Sequence, residues 1–226
     1  MISTGADPAA SKAPGAGDVP HGAARTDATG RSAGAGRILV AGIGNVFLGD
    51  DGFGVEVVRR MRDIALPERV DIADYGIRGL HLAYDLLEGR HDILVIVDAL
   101  PLGEPPGTVA VLDVDLDNPD WMPQPSQALE APVADGHGMD PESVLRLLRG
   151  LGGRVTRVLV VGCQPAVLEE RMELSPAVRN ALDEAVRTVI EVAHAEAARL
   201  DAAEAVCATA YPTAPGAPVG EVATDA

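Results

Sequence analysis

Three side chains of this 226-residue chain have the types and placement to act together: Asp51, Asp98 and His137. Asp51 stands in Gly49-Asp50-Asp51-Gly52, Asp98 ends the apolar run Ile93-Leu94-Val95-Ile96-Val97, and His137 lies in Gly136-His137-Gly138. Two carboxylates and an imidazole form a borderline donor set, suited to zinc or nickel with coordination positions left open. The acids also offer a metal-free chemistry: Asp50 or Asp51 set against Asp98 would share one proton, as paired protease aspartates do. Each residue has a plainer reading too. Asp51 can complement a helix dipole, Asp98 can cap a backbone turn, and His137 can be a solvated loop histidine. The three come from separated segments, so spacing alone leaves these alternatives open.

Other chemistries lack their signatures. There is no HExxH, CxxC or Gly-x-Ser-x-Gly pattern. Gly42-Ile-Gly44 opens like a dinucleotide fingerprint, but Phe47 replaces the third glycine. Two carboxylates then stand where a pyrophosphate would sit. The only lysine is Lys12, far from any P-loop position, so no nucleotide cofactor is expected. Cys163, in Val161-Gly162-Cys163-Gln164-Pro165, reads as a small buried hydrophobe.

The elements that must position these groups alternate along the chain. Apolar runs predict strands at 37–44, 70–75, 92–98, 107–114 and 157–162. Helical spacing predicts helices at 53–64 and 80–87, a third begun by Asp140-Pro141, and a long final one begun by Ser175-Pro176. The order β-α-β-α-β-β-α-β-α predicts an α/β three-layer sandwich: a mostly parallel sheet of about five strands with helices on both faces. The third and fourth strands are joined by only Ala99 to Pro106, too short for a helical crossover, so one strand is expected to be antiparallel or reached across an edge. In such a sheet the strand exits are where ligands collect, and all three candidate residues fall at exits or in the long stretch 113–139.

Residues 1–36 and 201–226 read as disordered extensions, the second acidic, flanking a folded domain at 37–200. Neither end has an apolar pattern that would offset its ordering entropy. Acidic residues outnumber basic ones 34 to 18, for a formal net charge of −16. That charge argues against non-specific binding to nucleic acid or anionic lipid. The apolar fraction of 47% suffices for a core, which must be aliphatic because aromatics make up 3%. No apolar run reaches the roughly 18 residues of a membrane span. Two cysteines and the lack of a signal-peptide pattern point to the cytoplasm.

Taken in order, the motifs of residues 37–199 resemble the nickel–iron hydrogenase maturation endopeptidases. The resemblance rests on Gly42-x-Gly44-Asn45, Asp50-Asp51 and Gly52-x-Gly54, then Asp74-x-Gly76 and Gly79. Val95-Ile96-Val97-Asp98-Ala99, the His137 segment before a helix, and Gly162-x-Gln164-Pro165 complete it. It implies an enzyme that removes a C-terminal extension from a hydrogenase large-subunit precursor after nickel insertion. It also implies that Asp51, Asp98 and His137 contact the nickel, which the precursor itself presents. Family members often carry Glu at the place of Asp51, which keeps Asp50 in reserve. The segment holding Asp74, Gly76 and Arg78 is implied to select substrate, with Arg78 either steering a carboxylate or making a surface ion pair. Metal-assisted and aspartate-based hydrolysis both stay open. Two other classes are a self-contained metallohydrolase acting on small peptides and a non-catalytic maturation chaperone.

Overall fold

In the computed structural model, residues 36–116 and 141–210 are described. The chain runs β1 (Ile38–Ile43), a 3-10 turn (Gly49–Gly52), α1 (Phe53–Arg60), β2 (Val70–Gly76) and α2 (Gly79–Leu87). It continues through β3 (Ile93–Ala99), β4 (Val109–Asp113), α3 (Pro141–Gly150), β5 (Arg157–Cys163) and α4 (Pro176–Ala210). The five strands form one sheet in the order β2-β1-β3-β5-β4. Four are parallel. The expected exception is β4, which pairs antiparallel with β5 at the edge, from Val109 opposite Cys163 to Asp113 opposite Leu159.

The central strands are apolar throughout because both of their faces are covered. Ile38 and Val40 of β1 and Val95 and Val97 of β3 enter one core with Phe53, Val57 and Met61 and the α4 stripe Val178, Leu182, Ala185 and Val189. The alternate residues Leu39, Ala41, Leu94 and Ile96 enter a second core with Leu82 and Leu86 of α2 and Val144 and Leu148 of α3. Period-two alternation of strand side chains thus splits one continuous apolar run between two layers. The half-exposed β4 has the weaker alternation of an edge strand.

Two boundaries differ from the sequence reading. The first helix ends at Arg60, and Met61 to Ile64 form a turn whose Met61 side chain is still fully buried. The final helix passes the expected boundary at Leu200 and continues to Ala210. Residues 201–210 are therefore helix, not tail. The alanine-rich sequence favours helix intrinsically, and Arg69 holds it through two acids: Nη2 lies 2.6 Å from Asp201 and Nη1 3.0 Å from Glu204. The extension 1–35, the remainder 211–226, Asp140 and His137 lie outside the described residues.

Candidate active site

The site is built where β1 and β3 end side by side. The chain leaves β1 at Gly44, whose φ of +119° is a conformation that side-chain-bearing residues rarely adopt. A Cβ there would lie 1.9 Å from the Asp51 carbonyl oxygen and 3.6 Å from Asp98 Oδ1. Gly44 is thus the narrow point between the segments that carry the two acids. Close approach is also demanded at Gly54, where a Cβ would meet the Val97 carbonyl oxygen at 2.0 Å. The start of α1 can therefore press against the end of β3, which places the Asp51 turn next to Asp98.

Asp51 is half-buried, and the Asn45 N–H donates to its Oδ2 at 2.6 Å. Burial raises its pKa above the usual carboxylate value, and the Asn45 N–H opposes the rise only partly. Asp98 is 6% exposed, and its Oδ1 accepts the Ala99 N–H at 2.8 Å. An acid so placed is costly to ionise unless hydrogen bonds or a cation compensate.

Asp50 does something different from its neighbour. Fully buried, it accepts N–H groups from Ala166 at 2.8 Å and Val167 at 2.9 Å on Oδ2, and from Ser175 at 2.6 Å on Oδ1. Burial alone would raise its pKa, but these main-chain donors together pull it below the ordinary value. The Asp50 N–H donates to the Val167 carbonyl at 2.9 Å, and Gly49 N–H to that of Arg171 at 2.7 Å. Asp50 is therefore the anchor that ties the Asp51 turn to the loop after β5, and its carboxylate is committed to that loop. The sequence reading held it in reserve as a ligand; doubled acids gave no sign of which was the anchor.

The segment after β2 lies beside the same narrow point, since Gly44 N–H donates to the Gly76 carbonyl at 3.0 Å. Asp74 accepts from Arg59 Nε at 3.3 Å. Arg78 turns its guanidinium onto main-chain carbonyls, with Nε 3.1 Å from Tyr75 O and Nη2 2.5 Å from Asp74 O. It clamps the turn that it belongs to, and the surface ion pair considered from sequence is not formed among the described residues. Gln164 has an analogous duty: its Oε1 accepts the N–H groups of Leu102 at 2.6 Å and Gly103 at 2.9 Å, fixing the loop that follows Asp98. Cys163 is buried in the α1/α4 core, and burial, with the Asp50 charge next, pushes its thiol up to about 12. It is a packing residue, as its sequence context suggested.

Among the described residues no three acidic, histidine or cysteine side chains gather as a metal site. The two acids sit at the exits of β1 and β3, and any third donor from the 117–140 stretch, His137 included, lies outside the described residues. Comparison with known proteins decides the family. The hydrogenase maturation protease family model matches residues 55–192. The chain belongs to the hydrogenase maturation protease family. A putative hydrogenase maturation protease of Methanocaldococcus jannaschii is 30% identical over 158 residues, covering 68% of this chain and 94% of the relative. The hydrogenase expression/formation protein HupD of Rhodobacter capsulatus is 35% identical over 156 residues, covering 68% and 70%. Among solved structures, the maturating endopeptidase HybD from E. coli superposes with a TM-score of 0.56 at 28% identity, covering 71% of this chain and 93% of that one. The maturation protease HycI from Thermococcus kodakarensis gives a TM-score of 0.53 at 25% identity, covering 72% and 95%. In this protease, then, the matched region runs from within α1 to about the middle of α4 and includes Asp98, while Asp51 lies four residues before its start. No described helix of the protease is long and apolar enough to cross a membrane.

Proposed function

We propose that this protease removes the C-terminal extension of a nickel–iron hydrogenase large-subunit precursor once nickel has been inserted, acting in the cytoplasm. The observation that carries the reading is the convergence of the Asp51 and Asp98 segments on Gly44, at the strand exits of a maturation-protease fold. The nickel is part of the substrate: the precursor presents it, and Asp51, Asp98 and His137 engage it. Two aspartates supply negative charge for a cation, and His137 adds a nitrogen donor. Engagement sets the scissile peptide bond beside the two acids. Hydrolysis then adds water across that bond, hydroxyl to the carbonyl carbon and proton to the departing amine.

The carboxylates have separable duties in this scheme. Asp98, near the end of a buried central strand, is held by a main-chain N–H. Asp51, half-buried in the turn before α1, is the carboxylate assigned to take a proton from the attacking water. The nickel contributes polarisation of the carbonyl or of that water. The Asp74–Gly76 turn, locked by Arg78, forms the wall that selects substrate. The test is to incubate the protein with nickel-loaded and nickel-free precursor and weigh both by intact mass spectrometry. Loss of a C-terminal peptide from the nickel-loaded form alone is expected. Loss from both forms would discard nickel sensing, and stable binding without any cleavage would make the protein a chaperone. Activity on short peptides with tightly bound resident metal would make it a self-contained metallohydrolase.

A further inference from the structure

The geometry points to a second binding element beside the Asp51 turn: a groove that takes an acidic side chain of the substrate peptide together with an adjacent apolar one. The peptide's identity rests on the protease reading above; the groove's preference does not. Its cavity of about 300 Å³ is lined by the turn glycines Gly49 and Gly52, by apolar Val46, Leu174 and Leu182, and by Arg59, Arg60 and Arg179. That volume is at the small end for ligand sites and suits one or two residues of an extended chain. Met172, 73% exposed, stands at the mouth as an adaptable apolar contact.

Charge selects the occupant. In a chain with almost twice as many acids as bases, the lining of this groove carries three arginines and one acid, Glu56. Their present partners are carboxylates at or near the surface and one main-chain carbonyl. Arg59 meets Asp74 through one contact of 3.3 Å, and Arg179 meets Glu173 at 3.4 Å and donates to the Leu174 carbonyl at 3.0 Å. Arg60 lies between two acids, Asp183 at 2.8 Å, itself 80% exposed, and Glu56 of the lining at 3.4 Å. Exposed pairs of this kind contribute little, so a substrate carboxylate arriving with its own apolar neighbour displaces them at small cost. Because Gly52 lines the groove and Asp51 precedes it directly, a peptide extended at about 3.3–3.6 Å per residue spans from the cleaved bond to the arginines within a few residues.

The experiment uses the full-length protein and its Arg59→Gln/Arg179→Gln double variant, with melting temperatures to confirm folding. Two labelled octapeptides, identical except for Asp or Asn beside a Leu, are titrated by fluorescence anisotropy at low salt. The Asp peptide is expected to bind at least fivefold tighter than the Asn peptide, and the difference to vanish in the double variant or at high salt. Equal binding of the two peptides, or none, overturns the groove. With nickel-loaded precursor the double variant is expected to raise KM about tenfold and leave kcat within twofold; an unchanged KM also overturns it. A wild-type protein that cuts no precursor yet keeps the peptide preference would sink the protease reading and leave the groove standing. Should the double variant melt early, Arg59→Lys is used instead: charge is retained, so peptide discrimination must persist.

Discussion

Replacing Asp50 with alanine removes a carboxylate that satisfies three main-chain donors at once, and the structure sets the scale of the loss. The Ser175 N–H sits in a residue 3% exposed, where water has no easy entry, so leaving it without an acceptor costs about 2 kcal/mol. Ala166 and Val167 lie toward the surface, and water can partly replace their bonds, at about 1 kcal/mol each. The total is about 4 kcal/mol, a large part of the ~5–15 kcal/mol that holds a typical domain together. At roughly 2–4 °C per kcal/mol for a domain of this size, the melting temperature drops by about 8–16 °C. Asp50→Asn keeps one acceptor oxygen but turns an amide N–H₂ toward a main-chain donor, so it loses about half as much. Differential scanning calorimetry at pH 7 on the two variants measures both. A melting temperature for Asp50→Ala within 2 °C of the parent would refute the anchor assignment. The pH dependence gives a second reading. The folded pKa of Asp50 lies below its unfolded value of about 3.9, so its contribution is fully present above that value. It disappears as the pH falls through the folded pKa, and parent and Asp50→Asn melting curves should converge in strong acid.

Asp51 has the opposite sign: burial raises its pKa, so the fold disfavours its charge once the pH exceeds the unfolded value. Asp51→Asn is expected to melt no lower than the parent at pH 7 while losing at least 100-fold in precursor processing, read by mass spectrometry; normal processing would remove Asp51 from the chemistry. Asp98→Asn keeps the shape and removes the charge, and the same assay should show a loss of similar size. Gly44→Val drives a side chain into the Asp51 carbonyl 1.9 Å from the Cβ position, at positive φ, so the protein should be processing-dead and destabilised by at least ~3 kcal/mol in urea titration. Cys163→Ala should cost about 1–2 kcal/mol as a small cavity and retain processing; a dead but well-folded variant would restore the thiol as a reactive group.

Much of this fold was legible in the residues themselves. The runs at β1, β3 and β5 are apolar at consecutive positions because both sheet faces are covered. The eight-residue link after Asp98 is too short for a crossover helix, which is why β4 had to reverse. Pro141 and Pro176 open their helices where the fixed φ of proline is already helical. Asp51 and Asp98 were visible as candidates for the same reason: each closes a strand–loop junction, where an open sheet collects ligands.

What tertiary structure alone decided are the contacts between residues far apart in sequence. Asp50 and Asp51 are chemically identical neighbours, and their duties separate only because donors 116, 117 and 125 residues further on close over one and not the other. Arg78 carries a charge that local sequence would pair with an acid, yet the turn of β2 brings two carbonyl oxygens to it first. The helix past Leu200 is held by Arg69, more than 130 residues earlier in the chain. Sequence patterns report what each segment must bury, since burial follows residue type and period. They carry no record of which distant main-chain donor arrives at which carboxylate, and that assignment is what distinguishes an anchor from a reacting group.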